Sequence, residues 1–538
     1  IVEAQTCYFI TVLCLSEAKG MRVFMEYQLY LWQEKCLKEW KKKHCHGIVN
    51  VVTGAGKTYL ALAAGELLRE RTAVSDLRIK IVVPTASLLA QWGAAIRNFF
   101  DGTVSRRDIG FYYSGQRDTP DRLFMIYVIN SARYSLARHI VRDLEEGFTV
   151  FLIADECHRY TGDENRKIFD FLPFTKNCPE QYASLGLSAT PGLNRPENAS
   201  VLIPALGPEI FRYGLKEAEE DETLCPYAAF HIALSFTPQE KAEYEELSGN
   251  MRKMFLKLIS HYPSLKGLNR SAFFRRLCQI ANEKGDYAYL ARSYLNSSRK
   301  RKNLTSEAMS RLQCVIKLIG LLDKSAKIII FGERIKQADI LYEKLDRLYP
   351  NQAARCHSAM DPSARKLALE RFRDGEVRIL ISCRALDEGF DVPSASVGIV
   401  MSSASVNRQR IQRLGRILRR HEGKEIASLY YLYIAESSEE ASYFPVESQT
   451  SAVCELSYHW ENDTFSHPAY ERQVRTAMQR FRRAKPDVSL LSEAAGCFER
   501  GIVGPDWLMG RAYCTVKIQL SKTIAERNYW ICMKQIAR

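Results

Sequence analysis

Short apolar runs bounded by turn-forming residues recur in the first part of the chain, at Ile48–Val52, Ile79–Val83, Met125–Ile129, Thr149–Ala154 and Ser184–Leu187. Continuous rather than alternating runs of this length suit parallel strands buried on both faces. A second set follows at Lys327–Phe331, Val377–Ser382, Val397–Met401 and Leu429–Ile434, separated by helical segments such as Pro362–Arg373. Strands alternating with helices predict the α/β class, here as two tandem domains. Between the sets, Thr237-Pro-Gln-Glu240 is a capping-box start with proline at the first helical position, and the stretch to about Lys302 reads as helical and basic. The expected organisation is an N-terminal extension over 1–21, a first α/β domain over 22–210, a second over 211–436 carrying a helical insertion at about 238–305, and an accessory C-terminal region over 437–538.

Composition narrows the partners. The 538 residues are 46% hydrophobic and 26% charged, which excludes wholesale disorder and fibrous repeats. A formal charge of +14 favours a polyanionic partner, nucleic acid before an anionic membrane. The 15 cysteines contain no CxxC pair, so they read as reduced thiols in a cytoplasmic protein rather than a disulfide framework. His44, Cys45 and His46 adjoin in sequence, but no second cluster follows at zinc spacing, and a pre-strand loop is expected there. The apolar stretch Tyr8–Leu15 is far short of the ~20 residues of a membrane span and lacks a basic flank, so neither a span nor a signal peptide is expected.

Thr53-Gly-Ala-Gly-Lys-Thr58 lies after the strand pattern Ile48–Val52 and before the helical pattern Tyr59–Glu70, the context of a phosphate cradle. Gly54, Ala55 and Gly56 would bring backbone N–H groups to the phosphates, Lys57 would reach the β and γ oxygens, and Thr58 would ligate magnesium. The general pattern has glycine where this chain has Val51. Downstream, the apolar run from Val150 delivers Asp155 and Glu156 at its carboxyl end, the edge at which open α/β sheets bind ligands. Two acids after a strand are by themselves equally a solvated turn. With a phosphate loop upstream they suit nucleotide hydrolysis, Asp155 holding hydrated Mg2+ and Glu156 polarising the attacking water.

Together with the phosphate loop, Asp155-Glu-Cys-His158 and Ser188-Ala-Thr-Pro191 resemble motifs I, II and III of superfamily 2 helicases in order and spacing. Tyr30-Leu-Trp-Gln33 resembles the segment whose glutamine, here Gln33, reads adenine. Val83-Pro84-Thr85 resembles motif Ia, which touches the nucleic-acid backbone. Arg384-Ala-Leu-Asp-Glu-Gly-Phe-Asp-Val-Pro393 resembles motif V, with Gly389 and Asp391 at the nucleotide. Gln412-Arg-Leu-Gly-Arg-Ile-Leu-Arg419 resembles motif VI. Within the superfamily the last two are most similar to type III restriction-enzyme helicase subunits and XPB-like DNA translocases. The resemblance covers about residues 28–436 and implies two RecA-like domains that sandwich ATP, with Arg416 and Arg419 as arginine fingers and Gln412 near the γ-phosphate. It also implies that Ser188 and Thr190 link ATP state to nucleic-acid grip, although Ser188 can equally serve as a helix N-cap before Pro191.

Outside these motifs, Arg299-Lys-Arg-Lys302 reads either as a solvated linker or as a phosphate track. The stretch 472–485 holds Arg472, Arg475, Arg480, Arg482, Arg483 and Lys485 with Met478 and Phe481 interleaved, either a solvated amphipathic face or a nucleic-acid contact. The accessory region shows no nuclease arrangement, so any cleavage is expected from a partner; a nuclease or a methyltransferase is the kind of partner expected. The expected activity is an ATP- and Mg2+-dependent translocase or helicase on DNA. An RNA helicase and, from another class, an ATP-switched nucleic-acid-binding scaffold are the alternatives.

Overall fold

The computed structural model describes residues 29–72, 76–100, 103–383, 395–402, 417–418, 424–440, 453–484 and 488–537. The expected residues Gly389, Asp391, Gln412, Arg416 and Arg419, together with the extension at 1–21, lie outside them. The described residues form two compact units, the first made of residues up to Cys225 together with 417–418 and the second of the remainder from Pro226 onward.

The first unit is built on eight strands: β1 His46–Val51, β2 Leu77–Val83, β3 Ile109–Tyr113, β4 Gln116–Arg117, β5 Phe124–Val128, β6 Thr149–Asp155, β7 Tyr182–Ser188 and β8 Glu209–Tyr213. They order β4-β3-β5-β2-β6-β7-β1-β8, parallel throughout except for the β3–β4 hairpin. The five central strands coincide with the apolar runs of the sequence, and Val150–Asp155 is buried throughout, as a strand covered on both faces requires. The first domain does not stop at 210. β8 straddles that position and pairs in parallel with β1. The close approach needs Gly47, since a Cβ there would lie 2.6 Å from Ile210 Cδ1. Trp32, on the helix Leu31–Lys42, then stacks on Tyr213 at 4.8 Å and seals that edge.

The second sheet contains β9 Tyr227–Leu234, β10 Ile328–Gly332, β11 Ala353–His357, β12 Ile379–Cys383, β13 Val397–Val400, β14 Ala427–Ile434, β15 Val453–His459 and β16 Thr464–Ser466. Their order is β11-β12-β10-β13-β14-β9-β15-β16. The region expected to be accessory is continuous with this sheet. β15 pairs in parallel with β9, and the helices Pro468–Ala484, Val488–Gly501 and Ile524–Ile536 place Tyr470, Phe481, Cys497, Trp530 and Ile536 in one core with Phe230, Ile330 and Tyr430. No helix among the described residues is long and apolar enough to cross a membrane.

The helical insertion runs between β9 and β10 as Pro238–His261, Arg270–Ala281 and Asp286–Glu307, around its own small core of Leu258, Leu265, Leu277, Ile280 and Ala291. Thr237 caps the first of these helices as expected. Its hydroxyl accepts from Glu240 N, and Glu240 Oε2 accepts from Thr237 N at 2.9 Å. Arg299–Lys302 is not a linker but part of the last helix, where Arg301 donates to Ser248 Oγ and lies over the Tyr244 ring. His44 and Cys45 form the tight turn before β1, with φ of 54° and 61°, and no metal-binding cluster occurs among the described residues.

Candidate functional site

The carboxyl ends of β6, β7 and β1 lie side by side in the first sheet. Register places Asp155 opposite Leu187 and Ser188 opposite Asn50. Phosphate loop, paired acids and the serine after β7 therefore converge although they stand far apart in sequence. The loop turns on Gly54 and Gly56, at φ 94° and 98°, a region in which a side chain would be strained. Gly56 then precedes the helix Lys57–Arg71, whose first N–H groups and dipole face the loop. Thr58 lies half-buried in the first turn of that helix.

Lys57 Nζ donates to the Val51 carbonyl at 3.2 Å and stands 3.8 Å from Glu156 Oε1. Glu156 takes a left-handed backbone, φ 50° and ψ 47°, which turns the chain sharply at the strand end. Its Oε2 lies 3.4 Å from His158 Nδ1, and that nitrogen is 2.9 Å from Ser188 Oγ. Ser188 Oγ in turn accepts from Thr190 N at 3.0 Å. Lys57, Glu156, His158, Ser188 and Thr190 thus form a continuous polar line from phosphate loop to third motif.

Asp155 is almost wholly buried and accepts from Trp92 Nε1 at 2.9 Å. Burial first, and the neighbouring Glu156 charge second, push its carboxyl up to about 6, with the Trp92 bond acting the other way. The buried Thr53 hydroxyl has no hydrogen-bond partner among the described residues. An orphaned donor in the loop, a lysine beside it and a desolvated carboxylate facing them are what a phosphate with a divalent cation would satisfy, so the residues fit ATP with Mg2+.

The other expected residues fall around this centre. Gln33 is buried, with Nε2 donating to the Gly56 carbonyl at 2.9 Å and Oε1 accepting from Tyr30 N at 2.9 Å. Its amide is therefore held against the loop through its own backbone contacts. Pro84 is buried, and Thr85 caps the helix Ala86–Phe99, its hydroxyl 2.9 Å from Ser87 Oγ. Sequence reasoning missed Trp92 and Tyr160. The Tyr160 hydroxyl lies 2.5 Å from the Asp155 carbonyl and 3.0 Å from the Val82 carbonyl, its one proton shared between them, tying the acid strand to the strand that ends at motif Ia. Arg480, Arg482 and Arg483 are exposed in the second unit, on the helix Pro468–Ala484.

Residues 26–193 match the family described as type III restriction enzyme, res subunit, and residues 310–421 match the helicase conserved C-terminal domain. Over 394 residues the chain is 30% identical to the DNA 3'-5' translocase XPB2 of Sulfurisphaera tokodaii, a match spanning 73% of this chain and 78% of that protein. The chain belongs to the superfamily 2 helicases, in the XPB-like family. This helicase is also 24% identical over 368 residues to the putative DNA 3'-5' helicase Rad25 of Haloarcula marismortui, covering 68% of the chain and 46% of that relative. The crystal structure of the Pyrococcus furiosus Hef helicase domain superposes with a TM-score of 0.48 at 17% identity, covering 77% of this chain and 97% of that one. As a member of this family the helicase is an ATP-hydrolysing enzyme of two RecA-like α/β domains.

Proposed function

We propose that the protein is an ATP- and magnesium-dependent translocase or helicase acting on DNA. The observation that carries this reading is the unbroken polar line from Lys57 through Glu156 and His158 to Ser188 and Thr190, which connects the nucleotide end of the site to its third motif. In this reading the N–H groups of Gly54, Ala55 and Gly56 cradle the phosphates, Lys57 neutralises the β and γ oxygens, and Gln33 meets the adenine. Thr58 and Asp155 hold the cation, which when bound offsets charge on the phosphates. Glu156 takes a proton from the attacking water. Pro84 and Thr85 contact the nucleic-acid backbone, and Ser188 and Thr190 relay nucleotide state. Gly389, Asp391, Gln412, Arg416 and Arg419, outside the described residues, complete the nucleotide chemistry, the two arginines by offsetting charge that develops on the transferred phosphoryl group.

Charge distribution supports a nucleic-acid substrate. The helical insertion from Pro238 to Glu307 holds 14 lysines and arginines against 7 acids, a surplus of 7 out of the chain's +14. DNA is favoured over RNA because the XPB2 and Rad25 relatives, matched over 73% and 68% of this chain, carry DNA in their names, whereas the RNA helicase DBP8 of Meyerozyma guilliermondii matches 18% of it. The test is ATP turnover with magnesium, alone and with DNA or RNA added. DNA should accelerate it, and Lys57→Ala should abolish it. Undiminished turnover in that variant overturns the site assignment, and acceleration by RNA with none by DNA overturns the substrate. Arg416→Ala or Arg419→Ala should lower turnover while ATP binding persists, as expected of charges needed mainly in the transition state.

A further inference from the structure

The helix Pro468–Ala484 lies in the second unit, outside every motif of the nucleotide site. At 3.6 residues per turn its side chains divide sharply. Tyr470, Val474, Ala477, Met478 and Phe481 pack into the core of the second sheet. Arg472, Arg475, Arg480, Arg482 and Arg483 fall on the opposite side, within an arc of about 160°, and all five are exposed.

Within this helix all of these arginines except Arg475, which follows Glu471 by four residues, lack an acid at helical spacing. Elsewhere Arg69 pairs with Glu66 at 2.8 Å, Arg142 with Glu146 at 3.6 Å and Arg166 with Asp163 at 3.3 Å. The helix 468–484 contains a single acid, Glu471, whose Oε1 accepts from His467 N at 2.9 Å at the start of the helix. No ion pair to any of the five arginines occurs among the described residues. Arg475 also lines a cavity of about 430 Å³ together with Glu471 and Glu499, so the cations furthest from any carboxylate of that group are at the far end of the helix, Arg480, Arg482 and Arg483.

We infer that this helix is a second nucleic-acid contact, an arginine track for the phosphodiester backbone that adds salt-sensitive anchoring apart from the motor motifs. It rests on the DNA reading above. From Arg472 to Arg483 the helix rises about 16 Å, the axial length of about five phosphates on one strand of a duplex. Guanidinium groups suit this surface because each offers a planar fork of N–H donors to phosphate oxygens. Hydroxyl and amide groups of Thr476 and Gln479 stand between them, and both residues are exposed. The opposite, core-packed face keeps the track rigid, so little side-chain order beyond the arginines themselves must be gained on binding.

The experiment measures affinity of the full chain for a fluorescent duplex, without nucleotide, across a potassium chloride series. Each phosphate-bound cation contributes about 0.7–0.9 to the slope of log affinity against log salt. The triple variant Arg480→Ala, Arg482→Ala, Arg483→Ala should flatten that slope by about two to three units, and the triple lysine variant should restore most of it. Both variants should melt at the wild-type temperature, because the altered side chains are exposed. An unchanged slope in the alanine variant, with wild-type DNA binding intact, overturns the track and leaves the DNA reading standing. Loss of binding to phosphatidylserine vesicles with an unchanged DNA slope assigns the helix to a membrane surface and equally overturns it. Absence of DNA binding in the wild-type protein would sink both readings.

Discussion

His158 occupies a position between two strand ends where one ring nitrogen lies within reach of both Glu156 and Ser188. Such a ring transmits displacement: a shift of Glu156 towards or away from Lys57 changes what the imidazole offers Ser188. Ser188→Ala should therefore leave ATP binding and unstimulated hydrolysis largely intact while reducing DNA stimulation about five-fold or more, the lower range of a coupling free energy between sites. Equal loss of both rates in that variant would make Ser188 a structural residue. A separate titration sits beneath the sheet. Burial first, then the charges of Lys80 and Arg142, push His139 down to about 4 from 6.5, and its Nδ1 lies 3.0 Å from the Tyr127 hydroxyl. Between those values the unfolded chain binds the proton and the folded chain does not, so stability falls as pH falls from 6.5 towards 4. Melting temperatures across that window should drop more steeply for wild type than for His139→Gln. Of the site itself, the loop glycines, Lys57, Asp155 and Glu156 were legible, because each follows an apolar run at fixed spacing. Trp92 and Tyr160 were not, since their bonds to Asp155 and Val82 join parts of the chain that meet only once the sheet is formed.

At the scale of elements, what could be read from sequence was what carries its own local signal. The buried parallel strands announced themselves as continuous apolar runs, and the insertion began where Thr237, Pro238 and Glu240 said it would. β8 and β15 stayed hidden for a physical reason. β8 is mostly half-buried and β15 alternates buried with open positions, so each depends on a neighbour, β1 or β9, that lies far off in sequence. Glu240 does more than its motif suggests. Oε2 caps the first insertion helix, and Oε1 accepts from Met309 N at 3.0 Å, binding the start of the insertion to the helix that follows its end. Thr237→Ala should cost about 1 kcal/mol, the usual loss of an N-cap, and Glu240→Ala should cost more because it frees both termini. Denaturant titration of the two variants decides the order. A larger loss for Thr237→Ala would mean that the tie to Met309 contributes nothing.

For the molecule as a whole, sequence suggested a third body after 436, whereas β15 and the helices beyond it complete the second sheet and its core. The misreading has a simple origin: no nucleotide or helicase motif falls after 436, and absence of motif resembles absence of attachment. The packing argues otherwise. Trp507 is 2% exposed and stands 5.2 Å from the Tyr470 ring, and the Tyr430 hydroxyl of β14 donates to the Val503 carbonyl beside it. Trp507→Ala removes a large buried ring and should destabilise its unit by about 3–5 kcal/mol. Because β14 and the C-terminal helices share one core, that loss should lower the unfolding of the whole second unit, including the insertion's anchorage, as a single transition. Scanning calorimetry separates the cases. An early, small transition that leaves the rest of the trace in place would show that the C-terminal region melts alone and is a domain of its own.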